Sequence, residues 1–103
     1  MITFQIGQIV FSKSGRDKGF AFIIVELGVN SGKASETEYV YLCDGKRRTL
    51  DKPKKKKIKH LQPTSHVVSL AIPDGRSLQD ADLRKYLKAF MPEGGNPHWQ
   101  RTM

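Results

Sequence analysis

Fifteen consecutive residues, Lys46 to His60 (KRRTLDKPKKKKIKH), hold nine of the chain's 18 Lys and Arg against the single acid Asp51. Their net +8 equals the formal charge of the whole 103-residue chain, so everything outside the block sums to zero. Lysines of this density, Lys54 to Lys57 above all, are not expected in a core, which leaves the apolar residues on either side of the block to build one. A dense positive segment on a neutral body is the electrostatic footprint of a surface that neutralises phosphates and releases their counterions. Three blander readings stand beside it: a solvated lysine-rich loop, a nuclear-import tag and a polybasic membrane contact.

A chain of 103 residues makes one domain, or one small domain with an appendage, and buries only about two-thirds of its unfolded surface. That leaves little room for a deep enzyme cleft. The single Cys43 has no partner for an intramolecular disulfide, so a reducing compartment is expected. No apolar run approaches the roughly 20 residues of a membrane span, and Met1 to Gln5 has neither a basic region nor an apolar core. Neither a Met-Gly start nor a C-terminal prenylation Cys supplies a second anchoring signal, which weakens the membrane reading. A cytoplasmic location without a membrane partner is the expectation.

Residues 6–12 and 20–27 are rich in β-branched and aromatic residues and too short for confident helices. Between them Ser14-Gly15-Arg16-Asp17-Lys18-Gly19 offers two glycines for positive φ while its charged side chains turn to water, which predicts a hairpin with a basic tip. Gly28 to Glu38 reads as a polar loop, and Tyr39 to Cys43 resumes strand chemistry. Asp44-Gly45 is a hairpin signal and makes Lys46 to Leu50 the returning strand. A two-residue loop pairs Tyr41 with Arg48; a three-residue loop, which hides more apolar surface, sets Leu50 beside Val40 and Leu42. Pro53 then interrupts regular structure, and Ile58 to Leu61 suits a short closing strand. Four or five such strands joined by glycine turns suggest a small antiparallel barrel.

The last third differs in character. Ser77 and Asp80 have capping-box spacing, and Leu83, Tyr86, Leu87 and Phe90 recur at helical spacing, which predicts a helix over about 78–91. Asp80 and Asp82 near its start and Lys85 and Lys88 near its end suit the helix dipole. His66 to Ile72 is ambiguous by periodicity and is read as a short helix ended by Pro73-Asp74-Gly75. After Pro92 only Trp99 offers substantial apolar material. The expected organisation is a barrel over 1–64 with its basic segment at 46–60, a helical extension over 65–91, and a flexible tail over 92–103.

Gly7-Gln8-Ile9-Val10, followed by Ser14 to Gly19 and an apolar strand, resembles the KOW motif of ribosomal proteins and transcription elongation factors. The resemblance implies a mainly β fold, a small Src-homology-3-like antiparallel barrel of KOW type with a C-terminal α-helical extension. Where many KOW sequences carry a further Gly this chain has Phe22, and where a basic residue is expected after Gly19 it has Phe20. SGRDKG, then DGKRR, then DKPKKKKIKHLQPT make the chain similar, over about residues 5–64, to the KOW-domain RNA-binding proteins of Firmicutes. Those in turn are similar to a KOW-containing large-subunit ribosomal protein of archaea and eukaryotes. The string from Lys52 to Thr64 is the most specific part, while Ser77 to Phe90 resembles the helix often appended in such proteins only in general form.

For RNA, lysines act as flexible point charges on phosphates, whereas Arg47 and Arg48 make bidentate phosphate contacts or stack on bases. The candidate RNA-binding residues are Lys46, Arg47, Arg48, Lys52, Lys54, Lys55, Lys56, Lys57, Lys59 and His60, joined by Lys13, Arg16 and Lys18 if the fold brings the first hairpin tip to the basic run. Tyr39 and Tyr41 are candidates for base stacking, with barrel packing the equal alternative. The segment from Gly28 to Ala34 has one residue too few between its glycines for a phosphate loop and lacks the Ser or Thr after Lys33. His60, His66, His98 and Cys43 have no zinc-ligand spacing, and Cys43 in an apolar strand reads as a small core residue. No catalytic residue, metal or cofactor is expected. The reading is a non-enzymatic RNA-binding protein that recognises phosphate and shape, with ribosomal RNA as a candidate target and helix 78–91 as a candidate protein contact. The alternatives are a protein-interaction adaptor and a ribosome-independent RNA chaperone or regulator.

Overall fold

The computed structural model describes residues 4–28, 38–71 and 77–90. In chain order these form β1 (Gln8–Ser12), β2 (Ala21–Gly28), β3 (Tyr39–Cys43), β4 (Lys54–Lys57), a 3-10 turn (Ile58–His60), β5 (Leu61–Val67) and α1 (Asp80–Phe90). The protein is mainly β, with every strand pairing antiparallel and the order β4-β3-β2-β1-β5 across one sheet.

That order forces the sheet to curl. β4 and β5 lie at opposite edges, four strand spacings or about 19 Å apart if the sheet were flat, yet only Ile58–His60 separates them in the chain. A 3-10 turn advances only about 2 Å per residue, so the edges must bend toward each other. β2 supplies much of the bend: its first half pairs with β1, its second half with β3, and the register shifts between Ile24 and Glu26. β4 and β5 do not pair, and the sheet is not closed into a barrel.

Strand alternation divides the core in two. Val10, Phe22, Ile24, Val40 and Leu42 meet Phe4 and Leu61 on the inner face of the curl. Ile9, Phe11, Ala21, Ile23 and Cys43 face the other way and are covered by Leu83 and Leu87 of α1. This explains why all five residues of β1 are buried: both faces of the strand are used. α1 presents the apolar stripe its spacing predicts, with Tyr86 and Phe90 partly buried beside Leu83 and Leu87. The stripe packs on the sheet. The helix begins two residues later than Ser77 suggested, since the Asp82 carboxylate accepts the Gln79 N–H at 2.8 Å and frees Asp80 for another task.

Three segments depart from the sequence-based expectation. Lys46 to Leu50 is not the returning strand; β3 pairs instead with the lysine run, Tyr41 opposite Lys55 and Leu42 opposite Lys54. The cause is Asp44, whose carboxylate accepts the backbone N–H groups of Lys46, Arg47 and Arg48, each at 2.9 Å. It winds them into a compact loop, and only Gly45, not Asp44, takes positive φ. Leu50 packs in the helix-side core rather than beside Val40 and Leu42. Ile58 to His60 is a 3-10 turn, and the last strand starts at Leu61. Finally, His66 and Val67 are strand rather than helix, because β5 continues opposite Gln8 and Val68 N–H donates to Gly7 at 2.8 Å. The sheet thus runs past the expected boundary at 64. The segment 29–37, with most of the loop weighed as a phosphate loop, and the tail from 91, with His98 and Trp99, lie outside the described residues.

Candidate nucleic-acid interface

Charge alternates along β4 as side chains do along any strand. Residues opposite each other share a face, so Lys54 and Lys56, opposite Leu42 and Val40, fall on the inner side. Lys55 and Lys57, opposite Tyr41 and Tyr39, fall on the outer side. The four-lysine run is thus two functional surfaces rather than one tail, and as an edge strand it also discourages sheet-to-sheet association.

On the inner side Lys56 is largely buried, against the expectation that none of the four is. Its three ammonium donors are all used: on Ser12 Oγ at 2.8 Å, on the Ser14 carbonyl at 2.9 Å and on Asp17 Oδ1 at 2.9 Å. Ser12 Oγ donates in turn to Asp17 at 2.8 Å. Burial pushes the Asp17 carboxyl up, but the hydrogen bonds from Lys56 and Ser12 and the Lys56 charge outweigh it and hold the group below its ordinary value. Asp17 therefore does not turn to water with its loop neighbours. It fastens the β1–β2 loop to β4, and Gly15 and Gly19 both take the positive φ this tight loop requires. Lys13, Arg16 and Lys18 are left exposed.

The fastened loop and the Asp44 loop border a cleft of about 410 Å³ into which Arg16, Arg47, Arg48 and Lys54 converge, with Lys56 and Asp17 in its wall. Three separate stretches of sequence thus meet in one positive concavity, whose only carboxylate among the described residues, Asp17, is paired with Lys56. Beside it the Arg47 guanidinium stacks over the Phe20 ring, 3.7 Å from its centroid. Phe20 remains 45% exposed. It was not among the sequence-based candidates, although an aromatic residue after a basic loop was a usable signal. Lys46 and Lys52 are exposed on the Asp44 loop, outside the cleft lining. Lys59 is exposed and His60 half-buried on the 3-10 turn, tied to the first hairpin by Lys13 N–H donating to the His60 carbonyl at 2.8 Å.

On the outer side the two tyrosines form a packed cluster. Tyr39 and Tyr41 meet edge to face at 5.8 Å, Lys55 Nζ lies 4.1 Å from the Tyr39 ring centroid, and the ring crosses Gly28 so closely that a Cβ there would overlap it. Both tyrosines stay partly exposed.

The helix side braces the cleft. Asp80 Oδ1 accepts the Leu50 N–H at 2.8 Å, and Arg84 donates to the Gly45 carbonyl. The Cys43 thiol faces the same side, where burial, then the charges of Asp80 and Asp44, push it up to about 11. Among the described residues no three His, Cys, Asp or Glu side chains converge to hold a metal, and no helix is long and apolar enough to cross a membrane. No family model matches the chain, and no curated protein sequence matches it significantly.

Proposed function

We propose that the protein binds RNA without catalysis, chiefly through phosphates, with the positive cleft as its main contact surface and the curled, open sheet serving as a KOW-type unit. The observation that carries this reading is the convergence of Arg16, Arg47, Arg48 and Lys54 from three segments onto one concavity. A solvated lysine tail has no reason to be gathered in this way, whereas a fixed array of cations matches the clustered phosphates of folded RNA. Arginines suit the task, since their planar donors clamp phosphate oxygens in pairs. Association with the large ribosomal subunit in the cytoplasm follows from the resemblance rather than from the cleft.

Titration of labelled RNA hairpins between about 50 and 200 mM salt tests the reading. Affinity should fall steeply, by about 0.7 to 0.9 in log–log slope for each phosphate neutralised, and unrelated sequences should behave alike. An affinity that is weak and indifferent to salt would end it. Sedimentation with large subunits through moderate salt tests the ribosomal part separately.

A further inference from the structure

The cleft joins two kinds of surface that a continuous duplex does not use together. Its wall offers cations to a sugar-phosphate backbone, while Arg47 leads out of it onto an exposed aromatic ring. On the footing of the RNA-binding reading, we infer that the site accepts an unpaired, splayed nucleotide: its base adds to the Phe20–Arg47 stack, and its flanking phosphates are held by Arg16, Arg48 and Lys54.

The geometry favours this over plain backbone binding. At about 410 Å³ the cleft falls in the range of small-molecule sites, about 300 to 1,000 Å³, room for the sugar and phosphates of one nucleotide whose base lies on the stack beside it. Phe20, just before β2, keeps 45% of its surface in water. What sets it apart from the other exposed apolar side chains, Ile6, Leu27 and Val67, is that Arg47 already holds the ring in a stack at 3.7 Å beside the cleft. A guanidinium stacked on one ring can stack on a second, so the pair accepts a base on either outer side. Bases inside a duplex are stacked on each other and cannot reach it, whereas bulges and loops present them freely. Arg47 does double duty here, as charge and as plane.

The test uses the full chain and two labelled RNA hairpins of identical stem, one continuous and one with a single bulged nucleotide replaced by the fluorescent analogue aminopurine. The bulged hairpin should bind at least about fivefold more tightly, the lower end of what one base–aromatic stack provides, and aminopurine fluorescence should be quenched on binding. Phe20→Ala should abolish the preference and the quenching, so that the two hairpins bind alike. Phe20→Trp should keep both, and Arg47→Lys, which retains charge without the plane, should lose part of the quenching. Equal, salt-dependent binding of the two hairpins overturns the inference and leaves RNA binding intact. A Phe20→Ala variant with unaltered preference and the native melting temperature also overturns it. Absence of binding to either hairpin removes the RNA reading and the inference together.

Discussion

The Lys56 ammonium lies 2.9 Å from the Asp17 carboxylate, with only 9% and 12% of the two side chains exposed. Removing one member of such a pair strands the other in low dielectric, which costs more than the pair itself contributes. Lys56→Met should therefore destabilise the fold by about 3 kcal/mol, read by denaturant unfolding. Adding Asp17→Leu should recover much of that loss.

The same pair sets an acid limit. Because the folded carboxyl titrates below the ordinary value of 3.8, its stabilisation is complete above that value and is lost as pH falls through the lower, folded one. Thermal melting should show stability declining with acid over that window. Asp17→Asn, less stable at neutral pH, should show a shallower decline, and an identical decline in the variant would assign the acid sensitivity elsewhere.

The lysine run should not behave as four equal charges. Neutralising Lys54, Lys55 and Lys57 to Gln should flatten the plot of log affinity against log salt by up to about 2 units, at roughly 0.7 per contact with single-stranded RNA. Lys56→Gln, whose donors are already engaged, should change the slope by less than one such contact and instead lower the melting temperature. A Lys56 variant that flattened the slope at unchanged stability would return that residue to the RNA-binding set.

What was legible in the sequence was local. The β1–β2 hairpin follows from apolar runs around a glycine-bearing loop, and the α1 stripe from the spacing of Leu83, Leu87 and Phe90, because each signal is complete within one short segment. The partner of β3 was not legible. Asp-Gly predicts a tight hairpin, and only the three N–H groups gathered by Asp44 reveal why the chain delays its return until Lys54. Composition placed Lys54 to Lys57 at the surface, but the period of a strand decided that Lys56 turns inward to Asp17. Likewise the basic residues were recognisable as a set, while Phe20 under Arg47 is a contact between distant loops that no spacing rule encodes.

A chain ended after Thr64 should fail to unfold cooperatively. It would lose the end of β5, with the pairing of Val67 to Gln8, and would bare Ile9, Phe11 and Ile23 where Leu83 and Leu87 now cover them. In the full chain Leu83→Ala alone should cost about 3 kcal/mol, as a fully buried leucine does. Cooperative, β-rich melting of the shortened chain would show that the helix-side core is dispensable.

Gly45 connects this second core to the cleft. Its φ of 77° is one that L side chains resist, and a Cβ there would collide with the carbonyl oxygen of Asp80 at the start of α1. Arg84 holds the Gly45 carbonyl from the same helix, so the Asp44 loop is pressed against α1 while Arg47 and Arg48 project from its far side. Gly45→Ala should then do two things although it removes no charge. It should lower stability by about 1–3 kcal/mol, the combined cost of the strained backbone and the displaced contact. It should also weaken RNA binding at temperatures where the protein is still fully folded, because the two arginines no longer meet Arg16 and Lys54 in one array. Since no cation is lost, affinity should drop chiefly for structured RNA, whose phosphates are fixed in space, and less for flexible single strands. Unchanged affinity for both RNAs would mean that the loop carries its charges without needing to be held.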